Sequence, residues 1–232
     1  MIFIISLLVK KKIKRKQMKK NKQFWENIWN DENNKKYWTK ATPDISKIIE
    51  SESPKQRPDV LDLGCGLGRN SIAFAKSGFN VTATDLTNKG IDYLNKYSKQ
   101  FNLNVKTIVV DFNTDFFKEN SFDIIISVNV IYHGSKAQFL KAVSNVQKWL
   151  KPNGIFYFTC PTEEEKRRGN STIADNTIQI EPGHIHCCLN EKELDLALNN
   201  FICKYKKKEI QNWEYKGIPQ FSSRWKVLAQ IC

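Results

Sequence analysis

At 232 residues the chain has room for one sizeable domain with its own core and too little for two of ordinary size. A hydrophobic fraction of 41% with 12% aromatics excludes wholesale disorder. The formal charge of +13 would suit a nucleic-acid binder if it were spread over the surface, but residues 10–22, KKKIKRKQMKKNK, hold nine Lys/Arg and no acid. Without them 28 basic residues face 24 acidic ones, a net of +4.

Residues 1–9, MIFIISLLV, are apolar yet well short of the roughly 20 residues a spanning helix needs. The basic run follows them instead of preceding them, and no A-x-A-like site appears, unlike a secretory signal. Two readings stay open: a weak membrane-surface anchor backed by a polybasic stretch, or translation that starts at Met18. The six cysteines, at 65, 160, 187, 188, 203 and 232, form no CxxC pair and no secreted framework, so free thiols and a cytoplasmic location are expected.

Residues 23–50 place Phe24, Ile28, Tyr37, Trp38, Ile45, Ile48 and Ile49 at helical spacing, which predicts two or three helical pieces with Pro43 at a helix start. SESPKQRP is a linker. From Asp59 the pattern alternates: DVLDLG strand, GRNSIAFAKSG helix closed by Gly78, FNVTATD strand, NKGIDYLNKYSKQF helix, NVKTIVVD strand, FDIIISVNV strand. SKAQFLKAVSNVQKWLKPNG follows as a helix ended by Pro-Asn-Gly, then IFYFTC as a strand. Residues 161–189 read as a polar loop of 29 residues, too long to be structureless without a purpose. NEKELDLALNNF is a helix with Asn190 at its cap, and FICKYKKKEIQ and SSRWKVLAQI are two strands able to pair.

Buried apolar strands alternating with helices predict an α/β, Rossmann-like doubly wound fold, a mostly parallel seven-stranded sheet with an antiparallel edge hairpin. Residues 1–22 are expected to be a basic, disordered tail. Residues 23–232 are expected to form a single domain, with 23–50 as a helical lid and 161–189 as a substrate loop.

DVLDLGCGLGRNSIAF, residues 59–74, runs a buried strand into a glycine loop and a helix, the arrangement that holds nucleotides. A dinucleotide loop reads G-x-G-x-x-G, with the helix N-terminus aimed at a pyrophosphate. Here the glycines stand at 64, 66 and 68, and Arg69 occupies the third fingerprint position. Asp62 lies in the approach to the loop, where a carboxylate repels phosphate and suits an ammonium group. Asp85 ends the second strand, 19 residues beyond Gly66, where it can accept from ribose hydroxyls. Asp111 ends the third and can accept from an adenine amino group, with Phe112 beside the ring. Three carboxylates at three successive strand ends describe a cationic, phosphate-free nucleoside, which is the chemistry of S-adenosylmethionine.

VLDLGCGLGRNS, VTATD, VVDFN, FDIIISVNVIYHG and LKPNGIFYFT resemble, in order and interval, the successive motifs of class I S-adenosylmethionine-dependent methyltransferases over about residues 24–210. The aromatic entry and VIYHG are most similar to the small-molecule branch that includes tellurite-resistance and thiopurine or thiol methyltransferases. The resemblance implies that Gly64, Cys65, Gly66 and Gly68 approach the methionine part by backbone, with Asp62 supporting its amino group. It also implies that Asp85 and Leu86 hold the ribose, Asp111 and Phe112 the adenine, and that Asn129 lies beneath the sulfonium end.

SVNVIYHG stands where amino-methylating enzymes of DNA and RNA carry an Asn/Asp-Pro-Pro-aromatic run, which disfavours that chemistry. Cys160 in FTCP lacks the second cysteine that cytosine C5 methylation uses and reads as a buried strand-end thiol. His133 follows the fourth strand and is expected either as a general base or as a residue that orients its loop, with Tyr132 lining the acceptor pocket. In EPGHIHCC, alternation along one strand sends neighbours to opposite faces, so no tetrahedron closes locally and no metal is expected. His184 and His186 share a face and are expected to contact substrate. Trp25 and Trp29, four apart, read as helix packing, whereas Tyr37 and Trp38 cannot share a helical face and are expected to cover the sulfonium by cation–π contact. The expected activity is methyl transfer by in-line displacement to a small-molecule thiol, metalloid or heteroatom. The alternatives are an RNA-modifying enzyme tethered by the basic tail and a catalytically silent cofactor-binding protein.

Overall fold

The computed structural model describes residues 18–32, 38–52, 57–165, 171–174, 176–181, 184–215 and 218–231. Its spine is a seven-stranded sheet of order β3-β2-β1-β4-β5-β10-β9. The parallel part comprises β1 (Asp59–Leu63), β2 (Asn80–Asp85), β3 (Val105–Val109), β4 (Phe122–Ser127) and β5 (Leu150–Pro161). β9 (Phe201–Tyr215) and β10 (Ile218–Ile231) form an antiparallel hairpin, with β10 paired to β5 and β9 at the edge.

The near-continuous apolar strands follow from burial on both faces. Leu61, Leu63, Ile125, Phe156 and Phe158 pack on one side with α5 (Lys136–Trp149), through Phe139, Val143 and Val146. Val60, Val81, Ile124, Ile126 and Tyr157 face the other side, against α2 (Pro43–Ser51) and α3 (Arg69–Lys76), through Ile45, Ile48 and Phe74. Pro43 stands in the first turn of α2, where its missing N–H costs nothing. The Tyr157 hydroxyl donates to Asp44 at 2.9 Å and ties that helix to the sheet. α4 (Asn88–Gln100) covers β2 and β3, and α6 (Glu191–Ala197) begins at a capping box between Asn190 and Glu193.

Three expectations are revised. Residues 18–28 are helical (α1), so residues 18–22 belong to a helix and not to a tail. β4 stops at Ser127, because Asn129 takes a left-handed φ of +63° and turns the chain out of the sheet. The 161–189 segment is no simple loop: β6 (Ser171–Ala174), β7 (Thr177–Glu181) and β8 (His184–Cys187) form a three-stranded antiparallel sheet. Its strands span only four or five residues, and the turn at Asn176, φ +55°, was the sequence sign of a hairpin. The expectations on residues 1–17 and Tyr37 lie outside the described residues. Among the described residues no helix is long and apolar enough to cross a membrane.

Candidate active site

β1 leads outward to β2 and β3 on one side and to β4 and β5 on the other, so its carboxyl end is the switch point where open α/β sheets bind ligands. A cavity of about 570 Å³ opens there, within the roughly 300–1,000 Å³ common for small-molecule sites. Of the residues expected at the cofactor, Asp62, Gly64, Cys65, Gly66, Asp85, Leu86, Asp111, Phe112 and Asn129 line it.

Gly64 sits at φ +81°, and a Cβ there would fall 2.2 Å from Val130, so the loop after β1 and the turn after β4 close together only over a glycine. Gly68 does something else. It stands at the N-cap of α3 and packs on Leu94 of α4, 2.4 Å from an added Cβ, and it is not among the lining residues.

The acids are held by the fold. Asp62 faces α3 and accepts from the Ser71 N–H at 3.1 Å and the Ser71 hydroxyl at 2.5 Å. The protein's own carboxylate therefore takes one of the helix-terminal donors that a pyrophosphate would use. Burial pushes Asp62 up to about 6 even though both Ser71 donors favour its anion. Asp85 accepts from the Gly66 N–H at 2.9 Å, the Thr87 N–H at 2.8 Å and the Thr87 hydroxyl at 2.6 Å. Burial raises its pKa too, with those donors opposing. Three of about four acceptor sites on its carboxylate are thus in use. Asp111 accepts from the Asn113 N–H at 2.8 Å.

The roof is aromatic. Trp25 of α1 and Trp29, in the turn just after it, stack with centroids 5.7 Å apart, Trp38 meets Trp29 edge-on, and all three line the cavity. The Arg69 guanidinium lies 4.8 Å from the Trp38 ring. α1 is fastened to the start of α4, where Glu26 accepts from the Asn88 N–H at 2.9 Å. Trp25 and Trp29 were read as helix packing. Their i, i+4 spacing fits a core stripe equally well, and only the position of α1 over the loop separates the two.

Opposite the glycine loop, Asn129 is braced by Thr159 and by Arg224 of β10, whose guanidinium donates at 2.6 Å to Asn129 and at 2.9 Å to the Tyr132 hydroxyl. Tyr132 is buried in the core beside this pair and does not line the cavity. His133 does line it, but both ring nitrogens are engaged: Nε2 with the Asn129 carbonyl at 2.9 Å and Nδ1 with His184 Nε2 at 3.0 Å. His184 and His186 meet His133 behind the wall and are not among the lining residues. Arg224 went unnoticed in sequence, since nothing in SSRWKVL distinguishes a buried brace from a surface charge. Cys160 is fully buried, and burial raises its thiol pKa well above the usual range.

Residues 60–154, the span that contains the glycine loop, Asp85, Asp111 and Asn129, match the methyltransferase-domain family model. That span is similar to a methyltransferase domain. Around it, the chain is 35% identical over 111 residues to the "Probable S-adenosyl-L-methionine-dependent methyltransferase TehB" of Haemophilus influenzae (strain 10810), covering 48% of this chain and 36% of that one. The crystal structure of TehB from Haemophilus influenzae superposes with a TM-score of 0.66 at 21% identity, over 83% of this chain and 63% of that one. The Burkholderia thailandensis 1,6-didemethyltoxoflavin-N1-methyltransferase, solved with 1,6-didemethyltoxoflavin and S-adenosylhomocysteine, superposes at 0.67 and 17% identity over 91% and 87%. These likenesses show the fold, over residues 60–154 and the strands that flank them. Matches to the first curated relatives span 36–64% of their own lengths.

Proposed function

We propose that the cavity binds S-adenosylmethionine and that the chain transfers its methyl group to a small-molecule heteroatom. The observation that carries this reading is the occupied N-terminus of α3: with Asp62 on the Ser71 donors and Asp85 and Asp111 on the same wall, the crevice favours a cationic nucleoside over a diphosphate. In this reading Asp62 faces the ammonium of the methionine part, and the Gly64–Gly66 backbone runs alongside it. Asp85 takes a ribose hydroxyl on its remaining acceptor site with Leu86 beneath, and Asp111 and Phe112 hold adenine. The three tryptophans exclude water and attract the sulfonium.

Methyl transfer from a sulfonium is an in-line displacement, and the protein's share is to hold the nucleophile and methyl carbon in a near-attack geometry, worth at most roughly 7–11 kcal/mol. Asn129 stands at the turn where that geometry is set, held by Arg224 and Thr159. His133 keeps the turn in shape through the Asn129 carbonyl, so its part is orientation of the loop. The acceptor enters beside His133 and α1, where Met18, Asn21, Trp25 and Gln138 line the cavity.

Calorimetry with S-adenosylmethionine, S-adenosylhomocysteine and NAD tests the cofactor: the first two bind and NAD does not, and NAD binding in their place would end this reading. Incubation with labelled cofactor and a metabolite extract tests the transfer. Binding without any labelled product would mark a silent cofactor-binding protein.

A further inference from the structure

His184 and His186 stand two apart on β8 and share a face, as strand alternation requires. β8 is tied to the turn after β4 by the Cys187 N–H, which donates to the Tyr132 carbonyl at 2.8 Å and so brings His133, 51 residues away, against them. The three ring centroids form a nearly equilateral triangle with sides of 5.0, 4.7 and 4.6 Å. One nitrogen from each ring points inward: His133 Nδ1 lies 3.0 Å from His184 Nε2, which lies 2.9 Å from His186 Nε2. All three histidines are buried, with Phe24 on His184, Trp25 against His133 and His184, and Tyr132 against His133 and His186.

Protons alone serve this cluster poorly. A carbonyl is only an acceptor, so the contact to Asn129 places the His133 proton on Nε2 and leaves its lone pair on Nδ1, facing the other two rings. A ring N–H points in one direction, so in the neutral cluster His184 Nε2 aligns well with only one of its two inner neighbours. A cation at the centre satisfies all three. Zinc–imidazole bonds of about 2.0–2.1 Å require nitrogens roughly 3.3–3.4 Å apart, so the two short contacts open by a few tenths of an ångström while the third pair, the three inward atoms lying within 4.8 Å of one another, draws together. Fixing a ligand histidine through its other nitrogen on a backbone carbonyl is also what metal sites do.

We propose that His133, His184 and His186 form a three-imidazole site for a divalent ion of the zinc class at the cavity wall, with the fourth position left for a substrate thiol. The metal site stands on the imidazoles alone; the substrate assignment rests on the methyl-transfer reading above. A thiol R–SH that coordinates there gives its proton to water and becomes the thiolate, the form that both binds metal and attacks carbon. Its sulfur then forms the S–CH₃ bond as the methyl–sulfonium bond breaks. The electron pair of that bond stays on the cofactor sulfur, leaving neutral S-adenosylhomocysteine and a thioether product that binds metal weakly.

The test uses the full chain stripped with a chelator, dialysed against zinc or cobalt(II) and assayed for metal. One equivalent bound is expected. His186→Gln and His184→Gln should each weaken zinc binding at least 100-fold while S-adenosylhomocysteine affinity moves less than threefold, which shows that the fold survives. If neither variant folds, the wild-type stoichiometry decides by itself. The visible spectrum of the cobalt form, with S-adenosylhomocysteine bound, should change when 2-mercaptoethanol is added. Less than a tenth of an equivalent bound, or wild-type zinc affinity in both variants, overturns the site and leaves a shared proton in its place. Metal bound with a spectrum indifferent to the thiol overturns the substrate assignment. Zinc binding without any S-adenosylmethionine binding would instead defeat the cofactor reading and leave the metal site standing.

Discussion

In the proposed complex, Asp62 links stability to binding through one buried charge. Its pKa in the fold is about 6 against 3.8 in the unfolded chain, so the folded state keeps the proton longer. The sign follows: this group costs the fold nothing at low pH, and its destabilisation grows as pH rises from about 4 to 6, reaching about 3 kcal/mol. A bound ammonium reverses that, since it favours the carboxylate. S-adenosylmethionine affinity should therefore rise about tenfold per pH unit up to pH about 6 and level off above about 7, as read by calorimetry. Asp62→Asn should raise the apo Tm at pH 8, weaken S-adenosylmethionine at least tenfold and flatten the pH profile. A variant that binds as wild type with the slope intact would remove Asp62 from the site. Asp85→Ala takes acceptors from Gly66 and Thr87 and, in the proposed complex, from a sugar hydroxyl, and should weaken cofactor at least tenfold, about 1.4 kcal/mol. The acids were legible in sequence because each lies at or near the carboxyl end of a strand. The Asp62–Ser71 pairing was not, since it depends on how α3 packs over β1.

The elements that frame the cavity separate into those that bind and those that only support. Trp29, in the turn after α1, lies over Gly66, 3.0 Å from where a Cβ would stand. If its ring attracts the sulfonium, Trp29→Ala should raise the Kd of charged S-adenosylmethionine by several-fold more than that of neutral S-adenosylhomocysteine, in line with the ~0.5–2 kcal/mol of such contacts. Equal losses would reduce the residue to a wall. Asn190 closes the capping box of α6, away from the cavity. Asn190→Ala should cost about 1 kcal/mol, a fall in Tm of about 2–4 °C by calorimetry, and leave cofactor affinity unchanged. Helices with strong periodicity, such as 136–149, were readable from their apolar stripe. The small sheet β6–β7–β8 was not, because short strands rich in polar residues look like a loop until their partners are known.

At the scale of the whole molecule, the parallel sheet couples the site to global stability, since β1, β2 and β4 carry both core residues and cavity walls. A ligand at 100 times its Kd stabilises the native state by about 2.7 kcal/mol. S-adenosylhomocysteine at that excess should raise the Tm by roughly 5–10 °C, while NAD at equal concentration should leave it unchanged.

The strand–loop–helix at 59–76, the succession of parallel strands along the chain and the acids near their ends were legible without the structure. These are local facts: buried strands must be apolar, tight turns need glycine, and a carboxylate at a strand end is visible beside its strand. The packing of distant elements alone brings Asp62 onto Ser71 in the first turn of α3, Arg224 of the far hairpin onto Asn129, and His133 onto His184 and His186. Each of these joins residues tens of positions apart through packing between elements, and no spacing along the chain encodes which buried faces will meet.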